Sequence, residues 1–129
     1  MIVIKHDLGH RLQGALTLSR ILGDNDIQVG LSRKLLTAKV VRFLTIEDHW
    51  LVFACVGLIR ACFGKKTAGL LYSPWDSFDK KSLRTFCRRS VLRLFKKIRN
   101  IAIVCYVPFY LDERYRCITD GYIYDLEFW

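Results

Sequence analysis

The chain has 129 residues, 52% of them hydrophobic and 13% aromatic, and a formal net charge of +9. Such a composition excludes a disordered chain, and the length allows one domain, residues 1–129, with its own core. Five cysteines are too few for a disulfide-stapled mini-protein.

Those cysteines form no C-x-x-C pair, which points to reduced, buried thiols in a cytosolic protein. Met1-Ile2-Val3-Ile4 runs at once into Lys5, His6 and Asp7, unlike a secretory signal. The apolar run from Trp50 to Phe63 is broken by Arg60 and falls short of the roughly 20 residues of a membrane span.

In chain order, residues 2–4 read as a short, fully apolar strand. A polar loop containing Gly9 leads to a helix over 11–22, with Leu12, Ala15, Leu16, Ser19 and Leu22 at helical spacing. Gly23-Asp24-Asn25-Asp26 is turn chemistry, and 27–31 read as a second strand. Ser32 is placed to cap a helix reaching about Leu44, with Leu36, Val40 and Phe43 or Leu44 inward. Thr45-Ile46-Glu47-Asp48 resembles an N-cap with acids in the first turn, ahead of a helix over 50–63 that Gly64 closes. A third strand over 67–72 stops at Ser73-Pro74. A long helix follows over about 79–98, then a fourth strand over 101–107 ending at Pro108.

Apolar strands alternating with helices predict an α/β fold: an open, mainly parallel sheet of about four or more strands with flanking helices, Rossmann-like in architecture. Ligands of such sheets bind beyond the carboxyl ends of the strands. This places residues 6–10, Ser32-Arg33, residues 73–77 and residues 109–113 around one crevice. There the free N–H groups of a helix start favour anions, and Gly9 permits close backbone approach. His10 is the candidate catalytic residue, a base or hydrogen-bond donor to a hydroxyl, with Asp7, Gly9, Arg11 and Ser73 as candidate substrate contacts. An ordinary surface turn with a capping histidine is the plainer reading of the same loop.

Two tempting motifs fail. Gly64-Lys65-Lys66-Thr67 lacks the P-loop's first glycine, since Ile59 stands there, and Lys66 replaces the Ser/Thr. His6-Asp7-Leu8-Gly9-His10 mimics a zinc spacing, but Gly9 interrupts it and only His49 remains as a third imidazole. No cofactor and no metal are called for. The carboxylates Asp112, Glu113, Asp120, Asp125 and Glu127 lie among aromatics near the end of the sequence, in what reads as a loop packed on something. The terminal Phe128-Trp129 pair points to a continuation or a partner surface.

The charge is concentrated. Residues 79–99 hold nine basic residues and one acid, +8 of the chain's +9. Helical periodicity assigns Leu83, Phe86, Cys87, Ser90, Val91, Leu94 and Ile98 to the core. Leu92 and Phe95 then face outward among Lys80, Lys81, Arg84, Arg88, Arg89, Arg93 and Lys96, which suits an anionic membrane surface. A merely solvated basic face is the alternative. No nucleic-acid-binding motif of known spacing is present.

Ile2-Val3-Ile4-Lys5-His6-Asp7-Leu8-Gly9-His10, followed by Ala15-Leu16-Thr17-Leu18-Ser19-Arg20-Ile21-Leu22 and Asp26-Ile27-Gln28-Val29, resembles the start of GT-B glycosyltransferases. The match covers about the first thirty residues by motif and the rest by element order. A single Gly9 stands where many members carry several glycines. The resemblance implies the acceptor-binding N-terminal half of a two-domain transferase, as a fragment or a split subunit that is inactive alone. The acceptor would be a saccharide or lipid-linked saccharide of polysaccharide biosynthesis. The nucleotide sugar would be held by a C-terminal domain outside these residues. The location would be the cytoplasmic face of the cell membrane. The competing class is a non-enzymatic basic α/β module that binds anionic lipid, an acidic protein or RNA through Arg84, Arg88, Arg89, Arg93 and Lys96.

Overall fold

A computed structural model describes residues 1–5, 9–47, 49–71 and 81–123. The elements are β1 (Ile2–Ile4), α1 (Gly9–Leu22), β2 (Ile27–Val29), α2 (Lys34–Thr37), β3 (Val40–Phe43) and α3 (Trp50–Cys62). They continue with β4 (Lys66–Leu71), α4 (Leu83–Phe95), β5 (Ile101–Tyr106), α5 (Val107–Tyr110), α6 (Glu113–Arg116) and β6 (Gly121–Ile123). The six strands form one open sheet in the order β2-β1-β3-β4-β5-β6, and every pairing is parallel. The fold is therefore α/β and Rossmann-like.

Parallel strands need apolar cover on both faces, and the side-chain alternation supplies it. Ile2, Ile4, Leu44 and Leu70 point to one face and meet Leu12, Ala15 and Leu18 of α1. Val3, Val41, Phe43, Ile103 and Cys105 point to the other, where Phe53 of α3 and Leu92 and Phe95 of α4 cover them. Phe43, Phe53 and Phe95 stack edge-on in sequence, with centroids 5.5 and 6.1 Å apart. Among the described residues, α1 and Phe109 of α5 cover the first face. An apolar cleft of about 190 Å³ lies beside the C-terminal half of α1, lined by Leu18, Leu22, Leu44, Ala68, Leu70 and Val104.

Two sequence expectations are corrected here. The helix expected to reach Leu44 is a single turn at Lys34–Thr37, followed by the central strand β3. Leu36, Val40 and Phe43 satisfy a helical spacing, but the β-branched pair Val40-Val41 fits the slot between β1 and β4, where alternate burial is satisfied. Nor does Thr45 cap α3: the cap position is His49, without a side-chain cap bond, and Ile46 is buried in the core instead. Gly64, at φ +67°, does close α3 as expected.

Arg60 joins these layers. Its side chain is fully buried, yet all its donors are used. Nε donates to Thr67 Oγ1 at 2.9 Å, and Nη1 donates to the carbonyls of Leu35 and Ala38, both at 2.7 Å. Nη2 donates to those of Lys39 at 3.2 Å and Lys66 at 2.9 Å. One guanidinium thus ties α3 to α2, to the start of β3 and to β4. Burial pushes its pKa down, though a guanidinium remains charged near neutrality.

Candidate functional site

The strand order sets the site. Helix α1 leaves β1 toward one face of the sheet, while α3 leaves the neighbouring strand β3 toward the other. Adjacent strands whose connections diverge open a crevice at their carboxyl ends. The switch point here lies between β1 and β3, about 4.8 Å apart.

Three connections meet there. Gly9 opens α1 at φ +57°, a conformation only glycine adopts without strain, and His10 is the helix's second residue. Arg11 follows in the same turn, half-buried. From the β2 side, Gly30 at φ +73° donates its N–H to the carbonyl of Ile4 at 2.9 Å, which brings Ser32 and Arg33 to the same edge. From β3 comes the segment 44–47, held by Leu44 N–H to Val3 O at 3.0 Å and Ile46 N–H to Leu70 O at 2.9 Å.

Of the sequence-nominated contacts, Gly9, His10 and Arg11 stand together at this edge, with Ser32-Arg33 close by. Asp7, Ser73 and Lys80 lie outside the described residues. The structure adds Glu47 and His49 on the β3–α3 connection. Sequence reasoning missed them because it read β3 as helix, so this connection was not recognised as a strand tip. The usable signal was the Val40-Val41 pair. Their connection follows the strand next to β1, so an imidazole and a carboxylate on it widen the set of groups at this edge able to accept a proton.

At the β5–β6 end of the edge, aromatic side chains accumulate as expected. The rings of Tyr110 and Tyr122 lie 5.0 Å apart, and Phe109 meets the fully buried Tyr115 edge-on at 5.8 Å. Two of the carboxylates among them, Asp112 and Asp120, are structural. Asp112 accepts the Arg114 N–H at the start of α6, and the Arg114 guanidinium holds its carboxyl below the usual carboxylate range. Asp120 Oδ2 accepts the Ile103 N–H at 2.7 Å and so fastens β6 to β5. Asp125 and Glu127 lie outside the described residues.

The basic helix is rotated relative to expectation. Leu92 and Phe95, expected to face outward, are each 1% exposed and belong to the core. Leu83, Phe86 and Leu94, expected inside, are 80%, 68% and 58% exposed. The cause is what the sheet-facing side holds besides Leu92 and Phe95. The Arg88 guanidinium sits over the Trp50 ring at 5.5 Å and that of Arg89 over Tyr115 at 5.8 Å. Both residues are half-buried along this side of the helix, their guanidinium groups on the ring faces. Burial, then the charge of Arg84, lowers the pKa of Arg88. Lys81, Arg84, Arg93 and Lys96 are exposed, as expected. Ser82 caps the helix by accepting the Thr85 N–H at 3.2 Å.

The cysteines also depart from expectation. Cys105 is buried, but Cys55, Cys62 and Cys87 are exposed on the outer sides of α3 and α4. Among the described residues, no His/Cys/Asp/Glu cluster suits a metal and no helix is long and apolar enough to cross a membrane.

Comparison of the chain with protein-family models, with curated proteins and with solved structures returns no match.

Proposed function

We propose that the chain is an acceptor-binding unit of a GT-B-type glycosyltransferase, working at the carboxyl edge of its sheet. The observation that carries this reading is the β1/β3 switch point, with Gly9 and His10 opening α1 beside the connection that bears Glu47 and His49. A sugar acceptor presents hydroxyls, and its attacking hydroxyl must lose a proton. Groups able to take that proton belong where backbone N–H donors and a glycine allow close approach. In this reading His10 is the base, Gly9 and Arg11 contact the acceptor, and Asp7 and Ser73 complete the contacts. The acceptor is a saccharide, free or lipid-linked, in polysaccharide biosynthesis. The nucleotide sugar is held by a further domain, and the chain works as a peripheral protein on the cytoplasmic side of the cell membrane.

Amide NMR titration tests this. Octyl glucoside below its micelle concentration serves as acceptor mimic and UDP-glucose as donor. The glucoside is expected to shift the amides of residues 9–11, 30–33 and 44–47, while UDP-glucose leaves them unmoved. Shifts caused by UDP-glucose alone, or none from the glucoside at this edge, would overturn the proposal.

The second reading, a non-enzymatic binding module, is favoured by the exposed Arg84, Arg93 and Lys96 on a helix that carries no acid. It predicts binding through α4 with the carboxyl edge silent in the same titration.

A further inference from the structure

The layer formed by α3 and α4 departs from an ordinary solvated surface in two independent ways. The first is charge. Residues 49–71 and 81–111 hold eleven Lys and Arg and no Asp or Glu. Among the described residues, every carboxylate lies outside these two segments: Asp24, Asp26, Glu47, Asp112, Glu113 and Asp120. The second is exposure. Helix α3 has one charged residue, Arg60, and it is turned fully inward. Its outward stripe is Leu51, Cys55, Leu58, Ile59 and Cys62, all exposed. The outward stripe of α4 is Leu83, Phe86, Cys87, Ser90 and Leu94, also exposed.

The two helices are neighbours on one face of the sheet. Phe53 of α3 meets Phe95 of α4, and Arg88 of α4 covers Trp50 of α3. Their outward stripes therefore form one surface. Alkyl and phenyl groups lie along its two ridges, and Arg84, Arg93, Lys96 and Lys97 stand around α4. A helix apolar on all sides is ordinarily covered, and exposed apolar area beyond scattered single residues marks an interaction surface.

We infer that this two-helix surface docks on an anionic phospholipid bilayer, with Leu83, Phe86 and Leu94 of α4 and Leu51 and Ile59 of α3 entering the interface. Charge complementarity selects the occupant. Neither helix carries a carboxylate of its own to repel lipid phosphates, and each Lys or Arg near an anionic leaflet is worth roughly fivefold in partitioning. Side-chain chemistry favours a bilayer over RNA: Leu51, Leu58, Ile59, Leu83 and Leu94 offer aliphatic carbon, and Phe86 alone among these ridge residues offers a ring on which a base could stack. The surface goes beyond the acceptor reading, because it depends on the helical layer and not on the crevice. The N-terminal ends of α3 and α4 do lie at the carboxyl edge, so docking there would bring that edge close to a lipid-borne acceptor.

Vesicle co-sedimentation of the full chain, with no saccharide present, tests the surface independently of the crevice. At 0.05 M salt the protein should bind phosphatidylcholine vesicles containing phosphatidylglycerol at least tenfold better than pure phosphatidylcholine. The preference should vanish at 0.5 M salt, where screening shortens the reach of the charges to a few ångströms. The combined Leu83→Ser, Phe86→Ser, Leu94→Ser variant should lose at least tenfold in partitioning with its circular dichroism unchanged, because these side chains are solvent-exposed. The Leu51→Ser, Ile59→Ser variant provides the same readout from α3. Failure of the native chain to sediment at low salt overturns the inference, as does equal binding to both vesicles or native-like binding by both variants. Polyuridylate binding that survives in the serine variants, without vesicle binding, would reassign the surface to nucleic acid.

Discussion

Replacing Arg60 by methionine keeps the length and apolar stem of the side chain but removes five N–H donors. Two of the orphaned acceptors, Thr67 Oγ1 and the Leu35 carbonyl, are in buried bonds; those of Ala38, Lys39 and Lys66 are at partly open positions and can take water. A buried polar group stripped of its partner costs about 1–3 kcal/mol, and methionine gains back some of the desolvation that the guanidinium had lost. The balance is a destabilisation of about 3–5 kcal/mol, a large share of the total for a domain this size. At about 2.1 cal/mol/K of unfolding entropy per residue, 4 kcal/mol corresponds to a drop of ~15 °C in Tm. Urea denaturation followed by far-ultraviolet circular dichroism measures the first figure, and a thermal scan the second. Arg60→Lys, with three donors on one atom, should fall between the two proteins. A methionine variant within about 1 kcal/mol of the native protein would show that α2, β3 and β4 hold together without this hub, and the reasoning would fail.

Gly69→Ala should cost about 1–3 kcal/mol, since a Cβ there would sit 2.5 Å from Ile46 Cδ1 and 2.7 Å from Phe53 Cε2; urea midpoints at unchanged slope would measure it. Asp24 accepts hydrogen bonds from the Met1 amine and, at 2.8 Å, from Arg42 Nη1, and the amine above all holds its pKa below that of an ordinary aspartate. The folded state therefore favours the charged carboxylate. That contribution is present above about pH 4 and fades as pH falls through the lower folded value. Asp24→Asn should remove this part of the acid sensitivity, and denaturation midpoints that keep the native slope between pH 5 and 2 would contradict the assignment. Thiol titration of the native protein with a chromogenic disulfide should modify Cys55, Cys62 and Cys87 quickly and Cys105 only on unfolding, because burial both encloses that thiol and pushes its pKa up. Rapid modification of Cys105 in the native state would mean that β5 is not enclosed between β4 and β6 beneath the helical layer.

The amino-acid sequence alone determined the α/β class, the parallel arrangement, and the edge at which Gly9 and His10 stand. Those conclusions rest on local signals: unbroken apolar runs for doubly buried strands, Gly64 for a helix end, and 22 residues of loop, helix and turn between the first two strands. It also located the excess positive charge, which needs only counting. Tertiary structure decided what periodicity left degenerate. Residues 36, 40 and 43 fit a helix as well as alternate burial fits a strand, and only the slot between β1 and β4 chose the strand. Helix α4 carries two rival stripes, one through Leu83, Phe86 and Leu94 and one through Arg88, Arg89, Leu92 and Phe95. Local hydrophobicity favours the first. The second is buried because Trp50 and Tyr115 offer ring faces to the two guanidinium groups while Leu92 and Phe95 fill the floor beside Phe53. Those ring faces come from segments distant in sequence, which no reading of a single helix contains.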